Sequence, residues 1–125
     1  MYKVTVGVCC YQQKSWLSRC LRSLASQTLD RKDFEVVVVN DDPQEDLREI
    51  VGTFEEDISF NLRLINNTQN LGLPSSLNRI LHVAKGQYFV RVDADDYVSR
   101  HFLYVLSLFL DMNRDHQAVT CDYRK

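Results

Sequence analysis

Short β-branched runs alternate with amphipathic segments along nearly the whole chain of 125 residues. Apolar residues are continuous or alternate in the runs, which indicates strands, and recur at three- and four-residue spacing in the segments, which indicates helices. The predicted order is β-α-β-α-β-α-β-α-β. Because a helix between two strands returns the chain to the same edge of a sheet, such strands pair in parallel. We therefore expect one α/β domain over residues 1–125, with a mainly parallel sheet and helices on both faces.

The predicted boundaries follow from these patterns and from local start and stop signals. Asp42 suits a helix N-cap with Pro43 at the first helical position, and Gly86 suits the left-handed stop of a helix. The run from Gln87 to Val92 has the character of a buried strand. The predicted strands are 3–9, 34–39, 62–65, 87–92 and 118–121, and the predicted helices are 15–27, 42–54, 74–84 and 102–109.

Composition narrows the class of protein. The net charge of -2 gives no overall basic excess to meet a phosphate backbone, so we expect no nucleic-acid partner. The four cysteines lack metal-ligand spacing, and we interpret them as reduced core thiols. No apolar run reaches the roughly 18 residues needed to span a bilayer, and the first residues match a strand rather than a signal peptide. The expected compartment is the cytoplasm.

Carboxylates follow two of the predicted strands at their C-terminal ends. Asp41 follows the second strand, and Asp93, Asp95 and Asp96 follow the fourth. Taken alone, the second group is as consistent with a helix cap as with a ligand site. If the first, second and fourth strands are neighbours, however, Asp41, the later acids and Tyr11 meet at one edge of the sheet, where open α/β sheets bind ligands. That convergence favours a ligand site.

The residues at this edge suit a nucleotide held through a metal. The chain has neither G-x-G-x-x-G nor G-x-x-x-x-G-K-[ST], so it lacks its own phosphate-binding loop. Asp93 and Asp95 are hard oxygen ligands two residues apart, which suits Mg²⁺ or Mn²⁺ bridging to phosphate oxygens. Arg91 lies within the apolar run, and we expect it to pair with a nearby acid or to lie on an exposed strand face.

Five pieces of the chain resemble, in order and spacing, the nucleotide-sugar-dependent glycosyltransferases of family 2. They are residues 4–11, 16–28, 34–42, 70–73 with Asn78, and 84–88 running into 93–96. The resemblance implies the Rossmann-like GT-A fold, a three-layer α/β/α sandwich. It also implies transfer of a sugar, with inversion, from a nucleotide-diphosphate sugar to a glycan or lipid-linked acceptor. UDP is the expected nucleotide.

The resemblance further implies roles for individual residues. Tyr11 would pack against the base, and Asp41 would contact it. Asp95 would be the principal ligand of Mn²⁺ or Mg²⁺, and Asp93, a second ligand, would face the ribose and the donor sugar. The implied nucleotide-sugar-binding set is Cys9, Tyr11, Asp41, Asn78, Asp93, Ala94 and Asp95.

The resemblance covers the donor side of such an enzyme. The general base of an inverting transferase comes from a later segment, so we expect it after Lys125, with the acceptor part absent and the chain ending just after its fifth strand. The full-length protein would act in the cytoplasm, and attachment to the inner face of the membrane stays open.

Two other classes of protein are alternatives to this interpretation. A non-catalytic nucleotide- or metal-binding module stays open, because a donor half without an acceptor half would have that role. A phospho-acceptor signalling domain also alternates strands and helices, but it needs an acid pair after the first strand, where this chain has Cys9-Cys10-Tyr11. The sequence therefore disfavours the signalling domain.

Overall fold

The structure, a computed structural model, describes residues 1–116. Strands and helices alternate over this range as the sequence predicts, and the predicted strand 118–121 lies outside the described residues. A short 3₁₀ turn, Arg31–Asp33, precedes the second strand. The elements are β1 (Tyr2–Cys10), α1 (Lys14–Ala25), β2 (Phe34–Asn40), α2 (Arg48–Glu55), β3 (Leu62–Asn66), α3 (Leu73–Val83), β4 (Gly86–Arg91) and α4 (Phe102–Met112).

The strands form a parallel sheet in the order β3-β2-β1-β4. In the register, Gly7 of β1 lies opposite Val37 of β2 and Arg91 of β4, and Cys10 lies opposite Asn40. β1 therefore lies between the two strands that precede the acids. The condition on which the predicted site depends, that these three strands are neighbours, is confirmed.

Helices cover both faces of the sheet, which confirms the three layers. Val6, Val8 and Val36 belong to a core on one face, packed with α1, α2 and Leu103 of α4. On the other face, Ile80 of α3 packs against Val37 and Val39. The valine-rich strands form this double-sided sheet because both of their faces are buried, and all seven residues of β2 are buried.

β4 differs from its prediction as a buried strand. It lies at an edge of the described sheet, with β1 as its partner, and its burial alternates between half-buried and exposed residues. Phe89 and Arg91 lie on the exposed side. Full burial begins only after the strand, at Val92 and Ala94. An apolar run is compatible with either position, because periodicity does not say how many partners a strand has.

Two local predictions were wrong. The second helix begins at Arg48 rather than at Asp42; the Asp42 side chain instead accepts a hydrogen bond from the Gln44 N–H at 2.9 Å, forming a turn. Gly86 is the first residue of β4 and not a left-handed stop. Its lack of a side chain is needed for another reason: a Cβ there would clash with the Thr5 backbone nitrogen of β1.

Candidate functional site

Residues 93–96 form a tight turn at the carboxyl end of β4, here called the acidic turn. The Val92 N–H donates to Gly7 O at 3.0 Å, which keeps the chain beside β1 up to the turn, and the Asp96 N–H donates to Asp93 O at 2.9 Å, which closes it. Ala94 is fully buried. The buried alanine anchors the turn, so the carboxylates on either side of it face outward.

The three carboxylates of the acidic turn lie close enough to share one ligand. Oxygens of Asp93, Asp95 and Asp96 all lie within 4.8 Å of one another. In an octahedral Mg²⁺ site the oxygens lie about 2.0–2.1 Å from the ion, so two ligands are about 3–4 Å apart. Modest rotation of exposed side chains closes that difference. The donor set therefore fits a hard divalent cation, with Asp96 as a candidate ligand beyond the predicted pair.

The charges around the acidic turn are only partly balanced. Burial, reinforced by the negative charges of Asp95 and Asp93, raises the pKa of Asp96, while Arg19 and Arg91 oppose the shift. The Arg91 guanidinium donates to Asp93 through Nε at 2.9 Å and pairs with it through Nη2 at 2.9 Å. Arg91 thus lies on an exposed strand face and pairs with an acid of the site, as expected. The excess negative charge favours a cation at this turn.

Asp41, directly after β2, differs from the carboxylates of the acidic turn because it is buried and accepts hydrogen bonds from the protein itself. It is 4% exposed, and its Oδ1 accepts hydrogen bonds from the Asn67 amide and the Leu71 N–H, both at 2.8 Å. Its Oδ2 accepts the Gly72 N–H at 3.0 Å. Burial raises the pKa of Asp41, but these donors outweigh it, so its pKa lies below the usual range. The Ser76 side chain also lowers this pKa, so groups of the protein itself fill most of the roughly four acceptor positions of the carboxylate.

These bonds fix the loop between β3 and α3 at the carboxyl edge of the sheet. Gly72 has a φ of +86°, a backbone conformation that a residue with a Cβ rarely adopts, and this conformation aims its N–H at Asp41. Pro74 follows in the first turn of α3, where its missing N–H is not needed. The sequence piece 70–73 therefore encodes a loop that closes over Asp41.

The remaining predicted residues lie at different distances from this edge. Tyr11 follows β1 directly and is 43% exposed, so a ring face is available to a ligand. Cys9 is half-buried, and its burial raises the pKa of the thiol to about 11, which keeps it neutral. Asn78 is exposed on α3, about 7.5 Å along the helix from Leu73. The predicted residues other than Asn78 all lie at the carboxyl edge.

Helix α1 also contributes to the site, which the sequence patterns did not predict. Arg19 donates from Nη2 to the Asp95 carbonyl oxygen at 2.8 Å, and its guanidinium lies over the rings of Trp16, at 5.0 Å, and Tyr97, at 4.6 Å. A positive charge on α1 therefore contacts the acidic turn. The available signal was weak, since polar positions on an amphipathic helix usually face solvent.

The sequence matches one family along nearly its whole length. A family model described as Glycosyl transferase family 2 matches residues 5–124. Among curated relatives, the poly(ribitol-phosphate) beta-glucosyltransferase of Bacillus spizizenii is 30% identical over 102 residues, which is 81% of this chain and 16% of that protein. The chain thus spans less than a fifth of that relative.

Solved structures extend the likeness to the fold. Staphylococcus aureus TarS 1-349 in complex with UDP-GlcNAc superposes with a TM-score of 0.82 at 31% identity, over 90% of this chain and 32% of that one. The mannosyltransferase PcManGT from Pyrobaculum calidifontis, in complex with GDP-Man and Mn²⁺, superposes with a TM-score of 0.80 at 28% identity, over 86% and 32% of the two chains. Both comparisons match the three-layer architecture.

Proposed function

Given that the chain belongs to glycosyltransferase family 2 and has the fold of its enzymes, we propose that it binds a nucleotide-diphosphate sugar at the carboxyl edge of its sheet through a divalent cation. One observation carries this proposal: β1 lies between β2 and β4. That order brings Tyr11, Asp41 and the acidic turn to the same edge. An aromatic face, an acceptor and a cation site together suit a base, its ribose and a diphosphate.

Each residue would serve one part of the donor. The exposed ring of Tyr11 would pack on the base, and Asp41, at the same edge, would contact the base. Asp93 and Asp95, joined by Asp96, would hold Mn²⁺ or Mg²⁺ by carboxylate oxygens. When bound, that ion supplies Lewis-acid neutralisation of the diphosphate leaving group. Arg91, which pairs with Asp93, would keep that carboxylate oriented toward the ion.

The identity of the donor is supported by the similar structures. TarS was solved with UDP and with UDP-GlcNAc, and PcManGT with GDP-Man and Mn²⁺. TarS has the higher identity to this chain, at 31% against 28%. We therefore propose a UDP-sugar as the donor, with Mn²⁺ or Mg²⁺ as the cation.

The acceptor side belongs to the proposal as well, because the chain spans 32% of those solved chains. We propose transfer with inversion to a glycan or lipid-linked acceptor, with the general base supplied by residues after Lys125. Over residues 1–116, the structure contains no helix with both the length and the apolar character to cross a membrane. Action in the cytoplasm, with peripheral attachment to the inner membrane face, completes the proposal.

A thermal-shift screen tests the donor proposal. The protein is heated with UDP, GDP, CDP or dTDP, each with Mn²⁺ and with a chelator in place of the metal. We expect UDP with Mn²⁺ to raise the melting temperature most, because a ligand at 100 times its Kd stabilises the folded state by about 2.7 kcal/mol. Equal shifts with metal and with chelator would contradict metal bridging, and the largest shift with GDP would replace the proposed base.

A further inference from the structure

A polar face of α1 holds the segment that connects the acidic turn to α4. Arg19 and Ser23 are four residues apart and share one face of α1, and Gln27 follows two residues after the helix ends at Ala25. Ser23 Oγ accepts the Val98 N–H at 3.2 Å. Gln27 donates from Nε2 to the Ser99 carbonyl at 2.7 Å and accepts the Leu103 N–H at Oε1 at 2.9 Å. We call Arg19 and Ser23 of α1, together with Gln27 just after it, the polar seam.

Arg19 is the member of this seam that contacts the acidic turn itself. Its Nη2 donates to the Asp95 carbonyl at 2.8 Å, and Trp16 and Tyr97 lie on its guanidinium at 5.0 and 4.6 Å. Its Nε is buried without a hydrogen-bond partner among the described residues. A buried charged donor left unpaired is unfavourable, so stability alone is a poor reason for an arginine here. Its contact with the turn offers a better one.

The acidic turn needs such a contact because its carboxylates repel one another. Their oxygens lie within 4.8 Å of one another, so opening the metal-free turn would lower their electrostatic repulsion. Arg91 holds one end of it, through Asp93, and Arg19 holds the other end, through the Asp95 backbone. Groups that fix ligands in place before the ion binds improve affinity, since less ordering remains to be done on binding.

We propose that Arg19 is a positioning residue of the cation site: it holds the main chain at Asp95 so that the acidic turn is closed before the ion arrives. This inference rests on the proposed function, because it assumes that the turn binds a divalent cation. Arg19 contacts the carbonyl oxygen of Asp95 and neither carboxylate oxygen. It would therefore change the geometry of the turn and leave the set of ligand atoms intact.

The test compares Mn²⁺ binding by the whole chain and by its variants, measured by calorimetry with Mn²⁺ alone. We expect Arg19→Gln to raise the Kd of Mn²⁺ about tenfold or more, the effect typical of residues that orient metal ligands. Arg19→Lys keeps the charge without the planar guanidinium and should have an intermediate effect. Arg22→Gln, an exposed arginine three residues later on α1, is the matched control and should bind as the wild type does.

Two further measurements separate positioning from a merely structural role. Ser23→Ala removes another bond of the seam without touching Asp95, so it should lower the melting temperature and leave the Kd of Mn²⁺ unchanged. Hydrogen exchange without metal should be faster at residues 95–98 in Arg19→Gln. If Arg19→Gln fails to fold, Arg19→Lys and Tyr97→Leu provide the same comparison, with Tyr97→Leu expected to raise the Kd about threefold.

The outcomes distinguish this inference from the proposed function. A wild-type protein that binds Mn²⁺, together with an Arg19→Gln variant of equal affinity, would overturn the role of Arg19 and leave the cation site standing. A wild-type protein that does not bind Mn²⁺, alone or with any of the four nucleotides, would overturn the cation site and the role of Arg19 with it. Weakened binding that Ser23→Ala reproduces would show a general effect of the seam and would also overturn the specific role.

Discussion

The segments that directly follow β2 and β4, here called the exits of these strands, both place carboxylates at the same edge of the sheet. The carboxylates of the two exits have different surroundings. Asp41 is buried, and three donors of its own chain satisfy it. The acidic turn exposes Asp95 and Asp96 and leaves its carboxylates close together. A carboxylate surrounded by donors stabilises the loop that supplies them, whereas crowded carboxylates cost stability until a cation joins them. The carboxylate after β2 therefore anchors a loop beside the proposed base, and the carboxylates after β4 favour binding of a cation.

The largest difference between the exits is expected on replacing the carboxylate with its isosteric amide. In Asp41→Asn the amide group would face the N–H of Gly72 or Leu71, and a buried donor would lose its acceptor. We expect the free energy of unfolding to fall by about 2–3 kcal/mol, as measured by urea denaturation. Asp95→Asn is the matched substitution at the other exit and should leave that free energy nearly unchanged. An equal loss of unfolding free energy in Asp41→Asn and Asp95→Asn would contradict the difference between the two exits.

The second expected effect is on ligand binding, and here the exit of β4 is expected to be the sensitive one. Asp95→Ala should abolish the stabilisation by UDP with Mn²⁺, about 2.7 kcal/mol at 100 times Kd, because the turn loses its principal ligand. Thermal shift with and without Mn²⁺ is the measurement. Asp115→Ala, which removes an exposed acid near the end of the described chain, should keep the full shift. Persistence of the metal-dependent shift in Asp95→Ala would place the cation elsewhere.

The third prediction concerns the stability of the folded protein at low pH. Because the pKa of Asp41 is lowered in the folded state, the unfolded chain binds more protons as pH approaches the ordinary aspartate value of about 3.9. The contribution of Asp41 is therefore fully present above that pH and is lost as pH falls through the lowered value. The gap in unfolding free energy between wild type and Asp41→Asn should narrow from pH 7 to pH 3. A gap that stays constant would argue against an ionised anchor.

The smallest expected effect comes from Asp96. Its pKa is raised, by desolvation and by its acidic neighbours, so its ionised form is less favourable in the folded protein than in the unfolded chain. We expect Asp96→Asn to stabilise the metal-free protein by less than about 1 kcal/mol, the scale of exposed charge pairs. Calorimetric melting in chelator measures this, and a lower melting temperature for the variant would contradict like-charge repulsion in the acidic turn.

Much of the fold could be predicted from the chain because its signals are local. α1 and α3 begin and end within two residues of their predicted bounds, since their apolar stripes have clear helical spacing. The valine run of β2 is likewise confirmed. α2 was placed too early because Asp42-Pro43 matches a helix start in isolation. In the fold, Asn40 donates to the Glu45 carbonyl at 2.9 Å, and this bond holds the segment at the end of β2.

The sequence predicted which residues lie at the candidate site better than it predicted their contacts. Tyr11, Asp41 and the acidic turn follow strands, and the parallel alternation implies that strand ends share an edge. The partners of these residues come from distant parts of the chain: Leu71 lies 30 residues after Asp41, and Arg19 lies 76 residues before Asp95. Local patterns carry no information about such pairs.

The sequence by itself determined the alternation of strands and helices, the family, and the presence of acids after two strands, because each depends on residues close together in the chain. Only the tertiary structure decided that β4 lies at an edge of the sheet formed within residues 1–116, that Asp41 anchors a loop, and that Arg19 reaches the acidic turn. The physical reason is that the state of a carboxylate depends on the donors and charges around it. Those neighbours are assembled only when remote segments pack together.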